Sequence, residues 1–266
     1  MSVFRQRLVA AIRDVRDGIA SIYVWPMLGW LEIKQRYRRS TLGPFWLTLS
    51  TAVVILGMGP LYGRLFNQDL SAYFPFLAVS IVLWSLMSTL ITDSCTAFIS
   101  AEGYIKDLKL PYTVHVLRIV WRNLIMFAHN LIAVLVVLAI FRPHWGPSLV
   151  LVPVGVLLIA INGVWFGILL GLLCTRFRDI PQVVASLLQL AFFLTPILWR
   201  PTMLGKYQWA LDLNPLYVFM EIVRAPLLGE ETRVKLWLLA LLITGIGWVI
   251  SMLLFARFRT RIAYWL

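Results

Sequence analysis

Residues 149–173 read LVLVPVGVLLIAINGVWFGILLGLL, an apolar run with no charged side chain anywhere in it. In an α-helix about 20 such residues cross a ~30 Å hydrocarbon core. Within lipid the backbone has to satisfy its own hydrogen bonds. Helices do so internally, whereas barrel strands alternate lipid-facing and lumen-facing residues. This run does not alternate, so it reads as a membrane-spanning helix. Working outward, comparable runs fall at about 44–66, 74–98, 113–140, 182–199 and 236–256. The sequence thus predicts an all-α membrane protein with six transmembrane helices.

Composition agrees. Of the 266 residues 61% are hydrophobic and only 14% charged, where a water-soluble domain carries about 25% charged residues. The net charge of +12 would suggest nucleic acid in a soluble protein. Here the cations gather at the ends of apolar runs, so the expected partner is membrane lipid and not nucleic acid. With both termini in the cytoplasm, that side collects most of the Lys and Arg, including Lys106, Lys109, Arg118, Arg122, Arg176 and Arg178. This is the positive-inside arrangement.

Residues 1–40 divide from the rest. Residues 1–20 mix charge and apolar side chains without the central apolar run of a signal peptide, and read as a basic, mobile cytoplasmic tail. From Pro26 to about Arg39, Met27, Trp30, Leu31, Ile33 and Tyr37 share one side of a helical wheel. Glu32, Gln35, Arg36 and Arg39 share the other. That pattern suits an amphipathic helix lying in the membrane surface, and also a cytoplasmic helix packed on protein. Residues 41–266 form the six-helix transmembrane domain. Between spans five and six, about 200–235, Pro201, Pro215 and Pro226 interrupt an otherwise apolar segment, which predicts short re-entrant helices. Glu221 and Arg224 are spaced to pair on a helix surface.

Two stripes describe packing or lining. Gly163, Gly167 and Gly171 leave a smooth strip where another helix can approach. Ser85, Ser88, Thr92 and Thr96 share a face beside Asp93, the one acid well inside a span, and form either a helix contact or the wall of a polar conduit.

Enzymatic chemistry is missing from the pattern. The sequence holds no phosphate-binding Gly-x-x-x-x-Gly-Lys-[Ser/Thr] loop, no His-Glu-x-x-His and no paired carboxylates on one helix face. Cys95 and Cys174 make no disulfide framework, and His115, His129 and His144 share no metal-ligand spacing. No catalytic residue, no metal and no cofactor is expected in this chain. A passive or externally driven conduit remains.

The segment Arg36-Tyr37-Arg38-Arg39-Ser40-Thr41-Leu42-Gly43-Pro44-Phe45-Trp46 resembles the opening motif of permease subunits of type-2 ABC exporters for O-antigen and related lipid-linked polysaccharides. The resemblance continues through Lys106-Asp107-Leu108-Lys109-Leu110-Pro111, Arg176-Phe177-Arg178-Asp179-Ile180, Thr195-Pro196-Ile197 and Asn214-Pro215-Leu216, so it runs from about residue 22 to 256. It implies a homodimer in the bacterial inner membrane, two copies of a separate ATPase that holds ATP and Mg, and a glycan on undecaprenyl diphosphate as substrate. Teichoic-acid exporters share much of the pattern. A small-molecule drug exporter and a membrane enzyme of polysaccharide assembly are the other readings.

Three groups of candidate residues follow. A diphosphate headgroup at the inner leaflet needs forked cations beside a gap, which Arg36, Arg38 and Arg39 with Leu42 and Gly43 supply. The same arginines also suit mere orientation of the protein. The resemblance implies that Glu102, Lys106, Asp107 and Lys109, with Gly103 at a turn, dock in the ATPase, and that Arg176, Arg178 and Asp179 add a second contact. Sugars present apolar faces and polar edges, so Tyr62, Phe192, Phe193 and Tyr217, with Ser85, Ser88 and Thr92, are the channel-lining candidates. Ordinary packing is the competing role for each aromatic.

Overall fold

The computed structural model describes residues 3–43, 45–143 and 145–266. Among these, eleven α-helices follow in order. They are α1 (Val3–Ala20), α2 (Val24–Arg36), α3 (Phe45–Leu65), α4 (Leu70–Ser94), α5 (Glu102–Asp107), α6 (Tyr112–Phe141), α7 (Leu151–Arg176), α8 (Ile180–Leu194), α9 (Pro215–Leu228), α10 (Val234–Phe258) and α11 (Ile262–Trp265). Pro44 and His144, singled out above, lie outside the described residues.

Five helices, α3, α4, α6, α7 and α10, are long and apolar enough to cross a membrane. The sixth apolar run forms only the 15-residue α8, because Pro196 and Pro201 stop the helix from continuing. The chain is therefore a multi-pass bundle of five long apolar helices and one shorter one.

Burial ranks the helices. In α4, residues such as Leu77, Val79, Leu83 and Leu86 are at most 2% exposed, and this helix packs most extensively on α6. α7 joins them through its glycine strip. At Gly171 an added Cβ would sit 2.9 Å from the Phe98 ring, and at Gly167 it would collide with Val116. The strip is therefore a close-packing seam, one of the two roles its spacing allows. α3 lies outside this core, with only Ile55, Gly59 and Gly63 buried.

Two expectations are corrected. Residues 3–20 are a helix packed on α6 and α10, not a mobile tail. Leu8, Ala11 and Val15 recur at helical spacing and face the core, and Asp14 between them is fully buried. Its carboxylate accepts the backbone amides of Tyr112 (3.2 Å) and Thr113 (3.0 Å), the Thr113 hydroxyl (2.9 Å) and Arg259 Nε (2.8 Å). The residue before α6 is Pro111, which has no side-chain cap to offer, so α1 satisfies the orphan amides from a distance. The same carboxylate fixes both terminal segments to one end of the bundle. Second, the segment between α8 and α10 forms short helices as expected, but its Glu221–Arg224 pair is buried and not on a helix surface. A 3₁₀ stretch, Pro201–Leu213, leads into α9, whose residues from Tyr217 to Leu227 are buried. Asn214 caps α9 by accepting from the amides of Leu216 and Tyr217.

Candidate functional site

α2 shows why the wheel reading was half right. Met27 (59%), Trp30 (48%) and Leu31 (40%) are exposed, as an apolar face lying in a membrane surface requires. Ile33, however, turns inward against α6, and so does Glu32. The helix also ends at Arg36 and not at Arg39.

Glu32 starts a polar chain that sequence reasoning missed. One carboxylate oxygen pairs with Arg118 at 2.7 Å and the other with Arg122. Arg122 reaches on to Asp93 at 2.8 Å, Asn123 donates to the same Asp93 oxygen, and Arg118 donates to the Ser100 hydroxyl. A charge at membrane depth needs a partner, and Asp93, Arg118 and Arg122 all fall within expected spans. That was the available signal. Arg118 is 3% exposed, so it and Arg122 serve each other's acids and not the lipid surface.

Beyond α2 the chain turns through residues 37–43. Arg38, Arg39 and Leu42 are exposed, and no ion pair among the described residues involves either arginine. Gly43 has φ +56°, with its amide donating to the Ser40 hydroxyl at 3.1 Å. Glycine adopts that left-handed conformation without the strain a Cβ would bring. Arg36 is also exposed and its guanidinium lies 4.0 Å from the Met126 sulfur. The five headgroup candidates thus lie together, at the junction of α2 and α3.

The two coupling segments also converge. Glu102 and Lys106 pair along α5 at 2.5 Å. The Lys106 hydrogen bond holds the Glu102 carboxyl below its ordinary range, and Arg178 adds to that from the other loop. Gly103 lies inside α5, not at a turn. Asp107 ends the helix and Lys109 follows in the exposed strand of chain before Pro111. Arg176 stacks over the Trp265 ring, Arg178 reaches the Trp265 carbonyl, and Asp179 precedes α8. α5, residues 176–179 and α11 therefore share one end of the molecule.

The lining candidates separate. Ser85 and Ser88 are half-buried and Thr92 is exposed. Ser88 and Thr92 donate to carbonyls of their own helix, at Ser85 and Ser88. Hydroxyls bonded this way keep oxygen lone pairs for an incoming donor. Phe193 is 64% exposed and Phe192 packs edge-on against Trp84. Tyr62 is half-buried beside Phe66. Tyr217 is fully buried, with its hydroxyl bonded to Arg233, so it faces no open space in this protomer.

α8 carries a further feature that attention to aromatics passed over. Gln182, Ser186, Gln189 and Phe193 follow one another along one exposed line, while Val184, Leu188 and Ala191 face inward. Two amides on the outside of an apolar helix are costly in hydrocarbon. That line therefore belongs against water, sugar or another protein.

Residues 24–228 match the ABC-2 type transporter family. The chain is 28% identical over 198 residues to the O-antigen export system permease protein RfbA of Myxococcus xanthus, covering 73% of this chain and 76% of that protein. It is also 28% identical over 192 residues to an RfbA of Klebsiella pneumoniae bearing the same name, covering 70% of this chain and 72% of that protein.

Proposed function

The chain belongs to the ABC-2 type transporter family, and from that premise we propose that it is the permease half of an ATP-driven exporter of undecaprenyl-diphosphate-linked, O-antigen-type polysaccharide. ABC-2 permeases work with ATP-binding subunits, and this chain is a membrane transport subunit that brings no phosphate loop of its own. In the proposed assembly two copies stand around a central path in the bacterial inner membrane, with two ATPase copies on the cytoplasmic face.

α8 counts as the fifth of six spans, extended by the turn at residues 195–200, and α9 dips into the outer leaflet and returns. Both termini lie in the cytoplasm, where α1 and the segment after α10 meet at Asp14. Residues 3–40 cover the inner face and residues 41–266 carry the path. Arg36, Arg38 and Arg39 with Leu42 and Gly43 receive the diphosphate. α5 with Lys109, and Arg176, Arg178 and Asp179, meet the ATPase. Ser85, Ser88, Thr92, Phe192, Phe193 and Tyr62 line the path, joined by Gln182, Ser186 and Gln189; Tyr217 is left to packing.

The observation that carries this reading is the uncharged polar and aromatic line, exposed along α8 and half-buried to exposed along α4. Sugars stack their apolar faces on aromatic rings and exchange hydrogen bonds with hydroxyls and amides. An uncharged wall of this kind holds them weakly enough to let go. The two named relatives support the same substrate class.

The test is a strain lacking this chain but able to build the lipid-linked polymer. Polymer should accumulate on the inner leaflet, and reach the outer one only when this chain and an ATPase partner are restored together. Restoration by this chain alone, or turnover of a lipid-linked sugar by the purified chain, would establish a membrane enzyme instead. Unaffected polymer with lost drug resistance would establish a drug exporter.

A further inference from the structure

A cavity of about 640 Å³ lies behind α8, walled by α4, α7, α9 and α10. Its sides include Leu90, Phe166, Leu188, Ala191, Phe219 and Ile243, and no charged residue lines it. None of α8 is buried. The helix leans over this space without filling it.

Three polar side chains reach the wall, and all are already engaged. The Asn162 amide donates to the Leu158 carbonyl at 2.7 Å and to the Thr244 hydroxyl at 2.8 Å, and its oxygen accepts Trp165 Nε1 at 2.7 Å. The Asn214 amide donates to the Thr195 hydroxyl at 2.9 Å, and its oxygen accepts the amides that begin α9. What remains is one lone pair on the Asn162 oxygen and one N–H of Asn214, too little to hold a polar occupant. A stable water needs two to four polar partners, so water does not settle here. A sugar fails for the same reason, which separates this space from the glycan path on the opposite face of α8.

An apolar cavity of about 150 Å³ stays dry and takes up one benzene. This one is about four times larger, enough for one long alkyl chain. Left empty, its walls would lack dispersion partners along their whole length. Three of the helices around it, α4, α7 and α10, are long and apolar enough to cross a membrane, so hydrocarbon is the surrounding solvent. We propose that the cavity binds one acyl chain of a bilayer phospholipid, which then supports α8 from behind. An undecaprenyl tail is far too long for it, and the wall holds no cation for a diphosphate. The inference does not depend on which substrate is exported.

The test uses the full chain in vesicles of phosphatidylethanolamine and phosphatidylglycerol, with a trace of phosphatidylethanolamine carrying a diazirine at mid-acyl chain. After illumination, adducts should appear on Phe166 to Leu170 of α7 and on Leu188 to Ala191 of α8. Ala191→Trp and Leu188→Trp, two independent cavity-filling variants, should each lower those adducts several-fold. Labelling of lipid-facing Leu56, 65% exposed on α3, should stay constant and so report an intact fold. Wild-type adducts confined to outer surfaces such as Leu56 would overturn the proposal. So would unchanged cavity labelling in both variants, labelling by a polyprenyl probe alone, or a disulfide between two copies of an Ala191→Cys variant.

Discussion

Arg224 and Arg122 are both paired arginines on helices of the bundle, yet their surroundings differ. Arg224 is 1% exposed. Its guanidinium takes Glu221 through two nitrogens, the Ser80 hydroxyl at 2.8 Å and the Pro196 carbonyl at 2.6 Å, and lies 4.5 Å from the Phe76 ring centroid. The Glu221 pair lies within α9, while Ser80 and Phe76 join α9 to α4 and Pro196 joins it to the turn after α8. Arg122 belongs to a chain whose acids stay partly open, Glu32 at 23% and Asp93 at 27%. One site is a sealed peg that closes the fold. The other is a wet clasp that holds a surface helix. Sealing raises the cost of losing a partner, because the charge left behind has no water to turn to.

The largest effect is therefore expected at the peg. Arg224→Ala strands Glu221 among α9, α4 and α7, and should cost about 3–5 kcal/mol. The thermal unfolding midpoint of the purified protein in micelles measures it, together with the amount reaching the membrane. The double variant Glu221→Leu, Arg224→Leu should recover most of that loss, since apolar side chains of similar size often replace a buried pair without penalty. A double variant as unstable as the single one would mean that Ser80 and Pro196, and not the ion pair, are what the arginine is there to satisfy.

The clasp should respond less. Glu32→Gln leaves Arg122 with Asp93 and Arg118 with the Ser100 hydroxyl, and should cost about 1–3 kcal/mol. The loss should be local. Trypsin should cut at Lys34 or Arg36 in the variant long before it cuts elsewhere, because α2 comes away from α6 while the core holds. Global unfolding without early cleavage at those sites would make the clasp a second peg and erase the contrast.

Much of this architecture was legible beforehand, and the gaps have physical causes. The long helices were readable because an apolar run near 20 residues has one stable form in lipid. α8 fell short because hydropathy continues through residues 195–199 while Pro196 breaks the helix. The α1 packing was obscured by its charges: Leu8, Ala11 and Val15 keep helical spacing, but Arg5, Arg7, Arg13 and Arg16 lower the average until the segment resembles a tail. The Glu32 chain joins positions 32, 93, 118 and 122, and no spacing rule links residues that far apart. At the α2–α3 junction the arginines beside a glycine were legible as a cluster in the sequence. Tyr217 failed as a lining candidate because its aromatic ring sits on α9, which the sequence placed nearer the surface than its burial allows.

Below both peg and clasp stands Asp14. It is fully buried like Arg224, but it works partly by capping amides, an interaction of smaller size. Asp14→Ala should cost about 1–2 kcal/mol, the loss of a good helix cap. Asp14→Asn keeps one capping oxygen, for Thr113, and sets an NH2 opposite the Tyr112 amide and Arg259, so it should fall in between. Amide exchange at Thr113 separates the two, rising sharply in the alanine variant and little in the asparagine one. Equal exchange in both would assign the stabilisation to Arg259 and not to the cap.

The smallest change in stability, and the most informative for function, is expected outside both networks. Arg38 and Arg39 are exposed and make no ion pair among the described residues, so Arg38→Lys with Arg39→Lys should leave stability within about 0.5 kcal/mol. Charge is preserved, so insertion and orientation under the positive-inside rule should not change. What changes is geometry: a guanidinium presents two parallel donors to a pair of phosphate oxygens, and an ammonium presents a single point of charge. If these side chains receive a diphosphate beside the Gly43 turn, export of the lipid-linked polymer and substrate-stimulated ATP hydrolysis by the assembled complex should fall together. Basal hydrolysis should persist, since α5 and residues 176–179 are untouched. Glu32→Gln gives the complementary measurement, for it loosens α2 but leaves both arginines in place. Export lost in that variant and kept in the double lysine variant would move the functional weight from the exposed arginines to the clasp beneath them.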